Sequence, residues 1–120
     1  MATSTWKAIE RKVAELLLGK RVPCSGNGSI KGDVIQLRLV PGVLAEVKHG
    51  KQVLDAGPKK LSGWLQEAER DAATAGCTGP ILVLHPEGDN IRDSLVVMRL
   101  GLLSNAQRAL YEQSQLPIKD

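Results

Sequence analysis

The 120-residue chain has room for one hydrophobic core and no second domain, and its 42% hydrophobic and 24% charged residues exclude the disordered and fibrous classes. Its two cysteines, Cys24 and Cys77, lack the CxxC spacing of zinc or redox sites and the density of a stapled secreted domain, and no stretch approaches the ~18 apolar residues that span a bilayer. Net charge is +3, but residues 1–60 hold eleven Lys/Arg against five Asp/Glu while residues 61–120 hold five against eight, and a basic first half suits a phosphate-rich partner.

These bounds describe one domain over residues 1–120, reduced and cytoplasmic, without membrane contact. In chain order, Ser4 or Thr5 caps a first helix whose apolar stripe is Trp6, Ile9, Val13, Leu16 and Leu17 and whose stop is Gly19. At ~100° per residue, Glu10 falls beside the Trp6/Leu17 edge of that stripe and reaches inward, whereas Arg11 projects from the opposite face. Residues 21–24 are short and extended, and residues 25–32 are too glycine-rich for regular structure, which predicts a mobile polar loop. Residues 33–37 read as a strand, Pro41-Gly42 as a turn, and residues 44–48 as the partner strand of a hairpin.

Leu61, Trp64, Leu65, Ala68 and Ala72 mark a second amphipathic helix over residues 58–75, with Pro58 near its start and Gly76 at its end. Residues 80–84 form a continuous apolar run suited to a strand buried on both faces, central in the sheet. After a turn at residues 86–90, residues 94–98 make a further strand, and Ser104 caps a last helix through Glu112. Helix, three strands, helix, two strands and helix define an α/β domain: a mixed β-sheet of about five strands flanked by helices.

The sharpest chemical signal is Gly32-Asp33-Val34 followed, after eleven residues, by Glu46-Val47-Lys48. Residues two apart on a strand share a face, so Glu46 and Lys48 stand together and a hairpin brings Asp33 alongside. Burying two carboxylates and an ammonium costs several kcal/mol unless a cation or close pairing compensates. Mg²⁺ takes oxygen ligands of this kind, here Asp33, Glu46 and the main-chain carbonyl of Val47, with Glu10 completing the shell or holding a ligand water. The chemistry is phosphodiester hydrolysis, in which Lys48 orients or deprotonates the attacking water and stabilises developing negative charge. Taken alone, a Glu-x-Lys opposite an acid is more often an exposed cross-strand ion pair. The inward Glu10, Arg21 and the glycine-rich loop before Asp33 shift the balance towards a metal nuclease.

Trp6-Lys7-x-x-Glu10-Arg11, Arg21-Val-Pro-x-Ser25-Gly26, Gly32-Asp33-Val34 and Glu46-Val47-Lys48 together resemble the PD-(D/E)xK nuclease superfamily, and within it the archaeal-type Holliday junction resolvases and their phage-encoded relatives. The resemblance covers residues 5–85. It implies a restriction-endonuclease-like core and a homodimer that uses Mg²⁺, with Mn²⁺ able to substitute, to cut two opposed strands of a four-way junction. Glu10, Asp33, Glu46 and Lys48 carry over as the catalytic set, and Ser25, with Ser29 as the alternative, as the loop serine near the scissile strand. Arg11 and Arg21 carry over as phosphate contacts, and Ser29, Lys31 and Lys51 complete the DNA-contacting set. Gly32 stands where the family has proline before the first acid.

Other residues receive plainer readings. Trp6 and Trp64 are assigned to the core by their spacing. His49 reads as a turn histidine more readily than as a phosphate contact, His85 as structural, and Cys24 as a buried thiol without a supporting histidine. Lys51, Lys59 and Lys60 either hold a duplex arm or solvate a helix end. Without GxxxxGK[ST] there is no nucleotide cofactor. The apolar 95–103 region is the expected dimer surface. The rivals are another PD-(D/E)xK nuclease, of repair or restriction type, and a non-catalytic nucleic-acid-binding module.

Overall fold

The structure, a computed structural model, describes residues 2–22 and 33–115. Cys24, Ser25, Ser29, Lys31 and Gly32, and with them the expected polar loop, lie outside the described residues. The regular elements follow in the predicted order. Helix α1 (Ala2–Leu17) starts ahead of Ser4 and Thr5, so neither caps it. Its end carries the paired bonds of a Schellman motif: the Gly19 N–H donates to the Ala14 carbonyl at 2.8 Å and the Leu18 N–H to the Glu15 carbonyl at 3.3 Å. Leu18, not Gly19, takes the left-handed position, with φ of +53°. Gly19 serves close approach instead, because a Cβ there would lie 2.5 Å from Leu37 Cδ2 and 2.9 Å from the Ile35 carbonyl oxygen.

Strands β1 (Lys20–Arg21), β2 (Val34–Ile35), β3 (Val43–Gly50), β4 (Gly79–Pro86) and β5 (Leu95–Val97) form one sheet in that spatial order. The β3–β4 pair is parallel and the other three pairs are antiparallel, which makes the sheet mixed, as predicted. Parallel neighbours need a crossover. Here it is helix α2 (Pro58–Thr74), which ends at Ala75 ahead of Gly76 at φ +78°.

Strand alternation sorts the core into two layers. Val43, Ala45 and Val47 of β3 pack with Ile9, Val13 and Ala14 of α1, and Leu82 and Leu84 of β4 pack with Leu65 and Ala68 of α2 and with Val53. β4 is buried along nearly its whole length and is paired on both edges, the position expected for its apolar run. Among the described residues, no helix is long and apolar enough to cross a membrane.

Three elements depart from the sequence reading. β2 is two residues long, because Gln36 adopts φ +56° and turns the chain so that Leu37 folds into the core at 2% exposure. Helix α3 (Leu100–Ser114) begins a turn before Ser104, which therefore caps nothing. Its entry is fixed by Arg99, whose guanidinium donates twice to the Glu69 carboxylate at 2.7 and 3.2 Å, and by Leu102, which packs on Gly79 so closely that a Cβ there would meet it at 2.9 Å. Of the two tryptophans assigned to the core, Trp6 is 39% exposed, whereas Trp64 is half-buried and packs against the cluster between α2 and the sheet.

Candidate active site

The short β2 creates the site. Among the described residues, β2 pairs with β3 only at Val34–Ala45, and none of them forms a strand along that edge of β3 beyond Ala45. The Asp33 main chain ends the pairing, its N–H donating to the Ala45 carbonyl at 3.1 Å. Its side chain then takes over: the next outward-facing amide, Val47 N–H, donates to Asp33 Oδ2 at 2.7 Å. Since the N–H and C=O of one strand residue face the same edge, the Val47 carbonyl opens on the Asp33 side as well.

Glu46 and Lys48 stand on the α2 face of β3, opposite the α1-facing Ala45 and Val47. Burial, then the neighbouring Asp33 and Asp71 charges, push the Glu46 carboxyl up to about 8, and Lys48 opposes the shift. Asp33 is raised too, chiefly by burial and further by the Glu10 charge, against the pull of the Val47 N–H and Lys48. Two half-buried carboxyl groups in hydrogen-bond contact, both raised chiefly by burial, are an oxygen set short of positive charge. Lys48 supplies some of it, and its ammonium is held 5.5 Å from the Trp64 ring centroid, a cation–π contact that ties α2 to the site.

Glu10 does turn inward, to 5% exposure, and the cost of burying it is offset by two partners. The Trp6 indole N–H donates to its Oε2 at 2.8 Å and Arg21 Nε to its Oε1 at 2.8 Å. With both oxygens engaged, Glu10 acts on Asp33 through its charge rather than as a free donor. Arg21 thereby locks the helix carboxylate, while Arg11 and Lys51 are exposed on the surface. Among the described residues, no group of three His, Cys, Asp or Glu side chains forms a metal cage. The oxygens that could hold a cation are those of the Asp33 and Glu46 carboxyl groups and the Val47 main-chain carbonyl. That set fits Mg²⁺, which takes one or two carboxylates and fills its remaining positions with water and substrate phosphate.

A second polar pair adjoins the site. His49 lies on β3, not in a turn, in register with His85 of β4. Their Nδ1 atoms are 2.9 Å apart, and the rings stack with centroids at 5.0 Å. The hydrogen-bond network assigns the tautomers. His85 Nε2 meets the Asp89 carbonyl at 2.8 Å, and a carbonyl only accepts, so Nε2 carries hydrogen. In a neutral ring His85 Nδ1 then accepts, and His49 Nδ1 donates to it and to the His85 carbonyl at 3.2 Å. His85 is thus structural, as read from the sequence. His49 also meets the edge of Trp6, with centroids 5.7 Å apart.

Sequence reasoning missed the tryptophans as parts of this region. The signal was present in spacing: Trp6 stands one turn before Glu10, and Lys60 one turn before Trp64, with its ammonium 5.3 Å from the indole. Compared with known proteins, the chain matches no family model, no curated protein and no solved structure, and so the site's own geometry carries the functional argument.

Proposed function

We propose that this chain is a Mg²⁺-dependent DNA endonuclease that resolves four-way junctions by phosphodiester hydrolysis. The observation that carries the reading is the convergence of Asp33, at the start of β2, and Glu46 of β3 on the β2-side edge of β3, with Lys48 beside them. Asp33, Glu46 and the Val47 carbonyl would hold the cation. When bound, Mg²⁺ supplies an acidified water and neutralises charge building on the phosphate. Asp33 is oriented for its part by the Val47 N–H, and Glu46 gives up its proton as positive charge arrives. Lys48 orients the attacking water and stabilises the negative charge that develops on the phosphoryl oxygens. Glu10, locked by Trp6 and Arg21, keeps negative potential on Asp33 and so favours cation uptake.

Junction resolution rather than linear cutting is supported by the motif resemblance and by an apolar surface suited to a two-fold dimer. β5 is the edge strand, and Leu95, Val96, Leu100 and Leu103 are 52, 53, 80 and 40% exposed. Two incisions related by symmetry need two such sites in one assembly. Incubation of an immobile four-way junction, a linear duplex and a flapped duplex with Mg²⁺, followed by mapping of the cuts, tests the assignment. Paired symmetric incisions in the junction are expected. Preferred cutting of linear duplex moves the protein to the repair or restriction type, and no cutting of any substrate moves it to the binding-module class.

A further inference from the structure

The chain has no phenylalanine, one tyrosine and two tryptophans, and both tryptophans face one cleft at the end of β3. The cleft, about 220 Å³, is lined by Trp6, Lys48, His49, Gln52, Lys60 and Trp64 among others. Trp6 comes from α1 and Trp64 from α2, helices on opposite faces of the sheet, so neither helix's own amphipathic pattern requires their meeting. An indole left 39% exposed forfeits burial that a tryptophan normally provides. Trp6 is nevertheless held in one orientation, by its N–H bond to Glu10 and by the edge contact with His49. A fixed, exposed indole that shares its cleft with a second indole and two ammonium groups has the composition of a single-strand nucleic-acid subsite, where bases stack on rings and phosphates meet cations. The volume is below the ~300–1,000 Å³ of pockets that engulf a drug-sized ligand and suits one planar ring system.

Resting on the nuclease reading, we propose that this cleft takes a nucleobase unstacked from its neighbours beside the scissile phosphate, and so selects DNA that offers an unpaired or splayed nucleotide at the cut. Lys48 and Lys60, whose ammonium groups lie 5.5 and 5.3 Å from the Trp64 ring centroid, supply the positive charge for the phosphates flanking that base. Continuous duplex keeps its bases stacked and cannot fill the cleft. Selectivity for branched DNA then comes partly from a base-sized receptor within the active site, in addition to overall junction shape.

The test uses the full chain in EDTA, where no cutting is needed. Trp6 and Trp64 are the only tryptophans, so intrinsic emission reports the cleft directly. A thymidine decamer is compared with an abasic decamer of equal charge. The expected result is quenching by the thymidine strand only, with affinity about tenfold tighter than for the abasic strand. Equal affinity and equal emission for the two strands overturn the proposal. Trp64→Leu should remove most of the preference and Trp64→Phe retain most of it, whereas a preference unchanged in both overturns the cleft's role. Cutting is assayed separately with Mg²⁺. A protein that shows the base preference but cuts nothing keeps the cleft and loses the nuclease reading. One that cuts DNA in an Asp33-dependent way without base preference keeps the nuclease reading and loses the cleft.

Discussion

β3 and β4 are strands of equal length, eight residues each, running parallel and in register from Val43–Gly79 to Gly50–Pro86, yet they do different work. Where β4 places Leu82 and Leu84 against α2, β3 places Glu46 and Lys48 at the same levels of the same face. The difference lies in their edges. β4 is paired on both sides across residues 82–84, so polar groups there would be sealed from water. Beyond Ala45, β3 has no further pair with β2 among the described residues, and its Val47 N–H is met by the Asp33 side chain instead.

The largest expected effect distinguishes the two strands by activity. Asp33→Asn and Glu46→Gln should each lower Mg²⁺-dependent cutting by at least about 10²–10³-fold, read in a single-turnover junction assay, with binding of the uncut junction retained. EDTA should do the same to the wild type. On β4 the loss is structural: Leu82→Ala, at 0% exposure, should cost about 2–5 kcal/mol in urea unfolding while leaving the rate per folded molecule within a few-fold.

Next comes pH. The Glu46 carboxyl is raised from its ordinary 4.5 to about 8, so the folded metal-free chain holds that proton more tightly than the unfolded chain does. The resulting stabilisation is complete below pH ~4.5 and is lost as pH rises through 8. Its size is on the order of 1–3 kcal/mol after discounting for partial solvent contact. Glu46→Gln should therefore flatten the pH dependence in EDTA and raise the melting temperature at pH 8, while abolishing activity. A steep loss of stability over the same range in Glu46→Gln would assign the shift to other groups. The smallest effect belongs to the far edge: Val96→Lys, at 53% exposure, should change monomer stability by less than about 0.5 kcal/mol and convert a dimer to monomers in sedimentation analysis.

Much of this division was legible in the chain itself. The unbroken apolar run at residues 80–84 suits a strand covered on both faces, and the apolar positions of α2 stand at helical spacing, so element order and the mixed sheet followed from pattern. Asp33, Glu46 and Lys48 came from strand alternation plus a hairpin, and Glu10 from its angle on α1. Local pattern could not show that Gln36 takes positive φ and cuts β2 short, a choice made by the burial of Leu37. Nor could it show that the tryptophans sit at helix margins, because a spacing rule gives the apolar stripe but not where the opposing sheet ends. The start of α3 was missed for a similar reason, since its anchors, Glu69 and Gly79, are distant in sequence.

The central claim is that two carboxyl groups meet at the β2-side edge of β3 to hold one divalent cation. Calorimetric titration of the metal-free protein with Mg²⁺ at pH 7.5, in buffers of different ionisation enthalpy, tests it most directly. The account predicts one site per chain, uptake coupled to proton release from Glu46, and loss of both in Asp33→Asn and Glu46→Gln. Cation binding of the same strength in those variants, or none in the wild type even with an uncleavable junction present, would contradict it.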